Sequence, residues 1–232
     1  MVNLMASDQT RTYERGQSVV FLKTNDVFGG LSNMAGGFPL EVNGVKIRTS
    51  EALYQVCRFP HRAEVQRLII EQTSPMTAKM KSKPYRKDSR PDWDFVRVKI
   101  MRWCLRVKLA QNWESFRKLL LDTGERMIVE ESRKDDFWGA KLKDERTLVG
   151  TNVLGRLLME LREEVKSGWQ ESLLIVEPLT IQDFLLNGHP IESIIAHGIK
   201  KSLSVAPDKN LYINKPEYTD DKTQKPLQLL LL

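Results

Sequence analysis

The stretch that begins at Asp135 combines residue types suited to binding a sugar, a base and a phosphate. Asp135 and Trp138 are three residues apart, so one turn could offer a carboxylate to a sugar and a flat indole face to a base. Asn152 precedes apolar residues at helical spacing and is predicted to cap a helix whose first N–H groups attract anions. Gly150 and Gly155 leave room for a phosphate to approach the backbone. Taken singly, each residue also has an ordinary interpretation, as a turn residue, a core aromatic or a helix cap.

The composition indicates a globular protein without a membrane span. The chain has 232 residues, of which 41% are hydrophobic, enough for one domain of about 150 residues with an extension or for two small domains. It contains no run of about 18 apolar residues and no apolar stretch near its start, so a cytoplasmic location is expected. Two cysteines and three histidines are too scattered for a disulfide framework or a zinc site. We therefore predict no metal and no cofactor.

The net charge of +6 is concentrated in one segment. Residues 79–90, named here the basic segment, hold six lysines and arginines against one acid, Asp88. Such a segment can bind phosphates or nucleic acid through charge-assisted hydrogen bonds and counterion release. A solvated surface is an equally weighted alternative. If the ligand carries a single phosphate, Lys79 is expected to make most of the interaction.

A β-hairpin followed directly by a helix is predicted to hold Glu51. Apolar residues alternate on both sides of Asn43-Gly44, a sequence typical of a two-residue hairpin turn. Thr49 or Ser50 can then cap a helix that carries Glu51 in its first turn. In that position the ordinary interpretation of Glu51 is a favourable charge in the helix dipole, worth about 0.3–1 kcal/mol.

The remaining pattern predicts an α+β protein, with a mainly helical single core domain and a small antiparallel β-hairpin or sheet. Helical patterns lie at about 63–72, 75–81, 91–110, 113–123 and 152–168, and strand patterns lie at about 18–23, 127–132 and 173–178. Trp93 falls in the first turn of the longest helix, close in sequence to the basic segment.

Three parts of the chain are expected. Residues 1–16 are polar and aperiodic and are predicted to be a disordered leader, and residues 17–168 form the core domain. Residues 169–232 are predicted to be a C-terminal extension with a flexible tail that ends in leucines. Its short helices are expected at 180–188 and 191–201, as a small appended module.

Three blocks of the sequence together resemble the NADAR superfamily of YbiA-like N-glycosidases. They are Thr49-Ser50-Glu51 with Tyr54-Gln55, then Trp93, and then Asp135-x-x-Trp138-Gly139 with Gly150-x-Asn152-x-Leu154-Gly155. Leu31-Ser32-Asn33-Met34 and Ser74-Pro75-Met76 match as well, so the resemblance covers about residues 18–166. Two positions depart from the family pattern: Ala52 stands where histidine is common, and residues 140–149 replace a glycine-rich stretch.

The resemblance implies hydrolysis of the N-glycosidic bond between a ribose and a nitrogenous base. It places the essential acid on Glu51, the aromatic on Trp93 and the second acid on Asp135. Substrate contacts are expected from Asn33, Tyr54, Lys79, Trp138, Gly139, Asn152 and Gly155. Two substrate classes belong to the family: phosphoribosylamino-pyrimidine intermediates of riboflavin synthesis, whose removal limits damage, and ADP-ribose attached to guanine in nucleic acid.

Two carboxylates suit this reaction on chemical grounds. Cleavage of a ribosyl C–N bond builds positive charge on the sugar, which a carboxylate beneath the ring stabilises while a second one orients or deprotonates water. An apolar wall such as Trp93 or Trp138 can stack the leaving base and shift a neighbouring pKa. We assign Glu51 as the catalytic carboxylate and Asp135 as its partner, and leave open which of them handles the water.

Two other functions fit parts of the sequence. A non-catalytic module that binds ADP-ribose or nucleic acid would keep the pocket without turnover, which Ala52 and the altered stretch at 140–149 favour. A scaffold that assembles oligomers would rely on residues 173–232. The two acids together with Trp93 favour the enzyme. Its expected partner is a phosphorylated ribosyl-base molecule or ADP-ribosylated nucleic acid, and the oligomeric state stays open.

Overall fold

The computed structural model describes residues 9–168 and 170–196 of the chain. The predicted α+β class is confirmed, with a helical core and short paired strands. The helices are α1 Ser50–Val56, α2 Ala63–Ile70, α3 Pro75–Ser82, α4 Trp93–Gln111, α5 Trp113–Leu121, α6 Val153–Lys166 and α7 Gln170–Leu174. The strands are β1 Arg11–Glu14, β2 Ser18–Phe21, β3 Leu40–Val42, β4 Val45–Ile47, β5 Met127–Glu130, β6 Lys141–Leu142, β7 Thr147–Gly150, β8 Ile175–Val176, β9 Leu185–Leu186, β10 His189–Pro190 and β11 Ile194–Ile195. Short 3-10 helices lie at Arg15–Gln17, Gly29–Leu31 and Lys83–Asp88.

The strands pair in small sheets around the helices. β1, β7 and β6 form an antiparallel sheet in that order, and β3–β4, β8–β11 and β9–β10 are antiparallel pairs. β2 and β5 are parallel, with Ser18 opposite Met127 and Phe21 opposite Glu130. The sequence predicts only antiparallel pairing, and the difference arises because helices α1 to α5 separate these two strands in the chain.

Helix α4 lies at the centre of the core. It contacts α1, α5, α6 and α7 and the strands β3, β8 and β11. Val96, Ile100 and Val107 are buried along it, at the spacing that the sequence predicts. The thiols of Cys57 and Cys104 are also buried and form no disulfide. No helix among the described residues is long and apolar enough to cross a membrane.

The hairpin and helix predicted to hold Glu51 are confirmed. Asn43 and Gly44 have φ values of 49° and 74°, as a tight turn between β3 and β4 requires. Thr49 is the residue that caps α1, because its Oγ1 accepts a hydrogen bond from the Ala52 N–H at 3.2 Å. Ala52, one of the two positions that depart from the family pattern, is buried in the first turn of α1.

A buried lysine fixes the loop in front of this hairpin. Lys108 on α4 donates hydrogen bonds to the carbonyls of Gly30, at 2.6 Å, and Ser32, at 3.1 Å. Its Nζ also lies 4.4 Å from the ring centroid of Phe38 and 4.3 Å from that of Phe116. Burial lowers the pKa of Lys108 to about 7, while the carbonyls and rings favour the ammonium form. The loop at residues 30–32 is thus held on α4.

The junction between β5 and α6 is closed by Asn152. This residue is fully buried in a left-handed conformation, with φ 51°, and its side chain makes no cap hydrogen bond. Its Nδ2 instead donates to the Ile128 carbonyl at 2.9 Å, and its Oδ1 accepts from the Glu130 N–H at 3.2 Å. Asn152 is the N-cap residue of α6, as predicted, but its side chain does not cap the helix, because its amide is bound to β5.

The first N–H groups of α6 are also occupied by protein. Those of residues 151–154 donate to the carbonyls of Asp136, Gly139, Phe137 and Trp138, in that order. A phosphate would have to displace these bonds, so the predicted anion site at the start of α6 is wrong. Gly155 has a different purpose, because a Cβ atom there would lie 2.1 Å from the Ile128 carbonyl oxygen. It lets α6 pack directly on β5.

The predicted disordered leader is wrong for residues 11–14. These residues form β1, which pairs with β7, and Tyr13 is buried against Val129 and Leu148. One aromatic in a polar stretch gives no periodic signal, so only the pairing partner reveals the strand. That partner lies in the stretch at 140–149, which folds into β6 and β7. Residues 1–8 lie outside the described residues.

The predicted helices of the C-terminal extension are wrong where they can be compared. Residues 185–190 form the β9–β10 hairpin around Asn187 and Gly188, whose φ values are 51° and 84°. The strand predicted at 173–178 is observed only at Ile175–Val176, where β8 pairs with β11, because residues 173 and 174 belong to α7. Phe184 packs on Trp103 of α4 with ring centroids 4.9 Å apart, so these residues belong to the main core and not to a separate module. Residues 197–232, with the leucine tail, lie outside the described residues.

The close approach of α6 to β5 makes Gly155 a stringent test of the fold. Glycine to alanine in an open helix position stabilises a protein by about 1 kcal/mol. Gly155→Ala is expected instead to lower the free energy of unfolding by about 1–3 kcal/mol, because the new methyl group meets backbone. Urea unfolding measures the change. Gly36→Ala, at a site with open space, is the control, and a Gly155→Ala protein as stable as wild type would contradict the packing.

Candidate active site

Glu51 is held at the start of α1 by contacts from three segments. Its N–H donates to the Asn33 carbonyl at 3.0 Å, which ties it to the loop that Lys108 fixes. Its Oε1 accepts a hydrogen bond from Gln55 Nε2 at 3.0 Å and lies 3.8 Å from Lys79 Nζ. The side chain of Glu51 is only 8% exposed. A buried carboxylate with fixed donors is suited to a defined role in a reaction.

Gln55 is itself oriented from α3. The Ser82 hydroxyl lies 2.9 Å from Gln55 Oε1 and 2.7 Å from the Lys79 carbonyl oxygen, so its one proton is shared between two acceptors, and the Gln55 amide nitrogen faces Glu51. Gln55 was not among the predicted site residues, although its position four residues after Glu51 places both on one face of a helix. Ser82 and Gln55 therefore form a relay of hydrogen bonds that positions the catalytic candidate.

Glu130 is a third acid that the sequence did not single out. It ends β5, where Ile128 packs in the main core and Val129 packs in the small cluster with Tyr13. Side chains alternate along a strand, so Glu130 faces the same side as Ile128. Burial raises the pKa of Glu130 to about 7, and repulsion from Glu51 and Asp135 adds to this, while Lys79 opposes it. Glu130 therefore lies close enough to both Glu51 and Asp135 to interact with their charges.

Asp135 occupies the turn that follows β5. Its Oδ1 accepts hydrogen bonds from the N–H groups of Phe137, at 3.0 Å, and Trp138, at 2.9 Å, and its own N–H donates to Ser132 Oγ at 3.0 Å. This geometry is that of a turn residue, as the ordinary interpretation has it. Oδ2 has no hydrogen-bond partner in the described part of the chain, so one oxygen can still serve a substrate or a water.

Four aromatic rings lie near Glu51 and Asp135 and form the aromatic wall, defined as Tyr54, Trp93, Phe137 and Trp138. The ring centroids of Tyr54 lie 5.0 Å from Trp93 and 5.5 Å from Trp138, and Phe137 lies 5.1 Å from Trp138. Burial strongly raises the pKa of Tyr54, and the charge of Glu51 raises it further. Tyr54 is therefore a neutral phenol over the physiological pH range.

The rings of the aromatic wall differ in how accessible they are to a ligand. Trp93 is only 7% exposed, touches Tyr54, and carries the Arg58 guanidinium 4.9 Å from its ring centroid. Stacking of a base on Trp93 is thus hindered, and the expectation that it serves as base platform does not fit this geometry. Trp138 is half-buried and offers more accessible surface for that contact.

Asn33 lies beside Glu51 with one unused acceptor. Its side chain is buried, its Nδ2 contacts Met101 Sδ, and its Oδ1 has no hydrogen-bond partner within the described residues. Ser50 Oγ is buried and unpartnered in the same sense. Such atoms are costly to leave unsatisfied, so a hydroxyl group or water in this position would be favoured.

Other predicted contacts have structural purposes. A Cβ atom on Gly139 would lie 2.5 Å from the Glu130 carbonyl oxygen, so this glycine allows the turn to pack on β5. Asn152 and Gly155 are engaged in the β5–α6 junction and do not face a ligand. Lys79 lies against Glu51, where it balances carboxylate charge. The structure thus brings together Glu51, Lys79, Tyr54, Asp135 and Trp138, and adds Gln55 and Glu130.

The described residues contain no group of three or more His, Cys, Asp or Glu side chains placed to hold a metal ion. The absence of a metal from the reaction stays a prediction from the scattered cysteines and histidines of the sequence.

Comparison with known proteins gives consistent matches. The family model described as NADAR domain matches residues 20–166. N-glycosidase YbiA of Escherichia coli (strain K12) is 37% identical over 148 residues, which cover 62% of this chain and 86% of that protein. N-glycosidase Npun_R5314 of Nostoc punctiforme is 30% identical, with 65% and 94% covered. Riboflavin biosynthesis protein VVA0006 of Vibrio vulnificus is 33% identical, with 65% and 39% covered. The NMR structure of E. coli YbiA matches with a TM-score of 0.56 at 33% identity, covering 68% of this chain and 94% of that one.

The raised pKa of Glu130 predicts a pH-dependent stability. Its folded-state pKa of about 7 exceeds its ordinary value of 4.5, so the folded protein binds more protons between these values. Glu130 therefore lowers the stability of wild type as pH rises from about 4.5 to 7. Glu130→Gln removes this cost, and its stability relative to wild type should rise by about 1–3 kcal/mol between pH 5 and pH 8. Urea unfolding at both pH values tests this, and an equal difference at both would show that Glu130 is not perturbed.

Proposed function

The chain belongs to the NADAR family, and on that premise we propose that it is a hydrolase that cleaves the N-glycosidic bond between a ribose and a nitrogenous base. The observation that carries the proposal is that Glu130 at the end of β5 interacts with the charges of both Glu51, on α1, and Asp135, in the turn after β5. Two acids are the minimum for such a hydrolysis, and a third allows the leaving base to be protonated. The relatives named N-glycosidase support this reaction class.

Glu51 is the carboxylate for the sugar. As the C1′–N bond breaks, its electron pair goes to the base and positive charge develops on the ribose, which a fixed carboxylate stabilises. Gln55 holds one oxygen of Glu51 in place, and the buried position keeps water from weakening the interaction. Asp135, with one oxygen bound in its turn, orients the water that adds to C1′ and takes its proton.

Glu130 is the proton donor to the base. A pKa of about 7 keeps a substantial fraction of this acid protonated at neutral pH, which a carboxyl group of ordinary pKa would not provide. The proton passes from Glu130 to the nitrogen that leaves C1′. After product release, the proton taken from water restores the neutral acid, so the cycle needs no other reagent.

The substrate class rests on two observations that favour different ligands. Relatives named riboflavin biosynthesis proteins favour a phosphoribosylamino-pyrimidine, whose removal would limit damage. The net charge of +6 favours ADP-ribose on guanine in nucleic acid. A non-catalytic ADP-ribose or nucleic-acid reader would not need three acids, so it is the less favoured function. The cytoplasmic location stays a prediction.

The experiment is incubation with both substrates and detection of products by mass spectrometry. We expect ribose 5-phosphate from the first or ADP-ribose from the second, together with the released base or restored guanine, with or without a chelator. Glu51→Gln should lower kcat by at least about 100-fold without unfolding the protein. Glu114→Gln, the same change in the first turn of α5, is the matched control and should be active.

Absence of products from both substrates would overturn the proposed function. A Glu51→Gln enzyme within a few-fold of wild type would instead leave the reaction class standing and remove Glu51 from its centre. Loss of turnover with chelator and recovery with added metal would contradict the metal-independent mechanism.

The assignment of Glu130 predicts a pH–rate profile. Because its neutral form donates the proton, kcat of wild type should fall as pH rises through about 7. Glu130→Gln should have a lower kcat with no such decline, since glutamine does not titrate. Steady-state rates between pH 5 and pH 9 measure both curves. The same decline above pH 7 in the variant would assign the titration to another group.

A further inference from the structure

Three arginines lie together at one end of the aromatic wall. Arg58 follows α1, Arg86 belongs to the 3-10 helix Lys83–Asp88, and Arg97 is on α4. The Arg58 guanidinium lies over Trp93 at 4.9 Å, and that of Arg97 lies over Phe137 at 3.9 Å. The protein therefore places cations on two rings of the wall, where the faces of the rings also hold them in position.

Hydrogen bonds link the Arg58 guanidinium to the backbone of Arg86. Arg58 Nε donates to Ser89 Oγ at 2.6 Å, and the Ser89 hydroxyl donates to the Arg86 carbonyl at 2.5 Å. Burial lowers the pKa of Arg58, and repulsion from Arg86 and Arg97 lowers it further. Like charges held together in this way raise the energy of the empty protein, which an anion would relieve.

The cluster lacks matching carboxylates, in contrast to its neighbours. Arg62 is paired with Glu64 and Asp88, and Arg90 is paired with Asp92. Within residues 9–168 and 170–196, neither Arg58 nor Arg86 has a carboxylate within salt-bridge distance.

Arg97 is only weakly paired. Its Nε lies 3.6 Å from Asp94, an acid whose side chain is 86% exposed, and that Nε is buried without a hydrogen-bond partner in the described part of the chain. The three positive guanidinium groups and the negative carboxylate of Asp94 together carry a net charge of +2. This number matches the charge of a phosphate monoester dianion or of a pyrophosphate diester.

We propose that Arg58, Arg86 and Arg97 form the site that binds the phosphate of a sugar-phosphate substrate, with the sugar directed along the wall towards Glu51. The inference rests on the proposed function for the sugar and base, but the arginines would bind a phosphorylated ribose whether or not it is hydrolysed. The site replaces the phosphate position expected at the start of α6, and of the basic segment it keeps Arg86 in place of Lys79. Guanidinium groups bind phosphate through paired hydrogen bonds that lysine cannot make.

Tyr54 shows that the arginines and the acid are within reach of one ligand. Its phenol interacts electrostatically with Glu51 on one hand and with Arg97 and Arg58 on the other. Tyr54 also contacts both Trp93 and Trp138. A ribose bound between these groups would have its phosphate at the arginines and its C1′ at the carboxylates.

The test is ligand binding by calorimetry, which does not depend on turnover. Wild type should bind ribose 5-phosphate at least about tenfold more tightly than ribose, and raised salt should weaken only the former. The double variant Arg58→Gln/Arg97→Gln should bind both with the same low affinity. Arg86→Gln changes an exposed residue and should fold normally, yet weaken ribose 5-phosphate binding by about tenfold or less. The control is Arg102→Gln, also on α4, which removes a salt bridge to Glu160 of α6 and should bind both ligands as wild type does.

ADP-ribose in the same experiment distinguishes the two sources of phosphate. Tighter binding of ADP-ribose than ribose 5-phosphate, lost in the same variants, would identify a pyrophosphate site, and the reverse order would identify a monophosphate site. Unchanged binding of both ligands in folded Arg86→Gln and Arg58→Gln/Arg97→Gln proteins would overturn the inference. Phosphate-dependent binding without turnover of either substrate would instead leave the arginine site and remove the proposed function.

Discussion

The junction between β5 and α6 fixes the relative position of two of the three acids. Asn152 joins the end of β5 through the Ile128 carbonyl and the Glu130 N–H, while the first N–H groups of α6 bind the carbonyls of residues 136–139. Glu130 and the turn that begins at Asp135 are thus attached to the same helix end. The dipole that could have bound a substrate phosphate is used inside the protein, which leaves the anion to side chains.

The charges around this junction would serve different parts of the proposed reaction. Glu51 and Asp135 both repel the charge of Glu130, and Lys79 offsets part of that repulsion. Burial then makes Glu130 the acid that keeps its proton near neutral pH. Arginines gather at the other end of the aromatic wall, so acids and cations lie around the same rings without neutralising one another.

Local signals in the sequence predict the parts of the site that local structure forms. Asn43-Gly44 and Thr49 determine the hairpin and the start of α1, so Glu51 is found correctly at a helix start. Glu130 is different, because its properties come from burial against segments that are far apart in sequence, and as a strand residue it has no distinctive neighbour. The side chain of Asn152 was misassigned since its left-handed backbone depends on contacts with β5. Asn187-Gly188 carries the same turn signal as Asn43-Gly44, but its apolar neighbours fit a helix as well as a strand.

The most direct test of this account is the crystal structure of the Glu51→Gln protein with an intact ribosyl-base substrate. The account predicts that C1′ lies beside residue 51 and within reach of Glu130 and Asp135, with the base on Trp138 and the phosphate at the arginines. A cavity of about 370 Å³ lies between α4 and residues 172–179, lined by Lys99, Arg102 and Trp103 among others. A substrate bound there, or with its ribosyl bond remote from all three acids, would contradict the account.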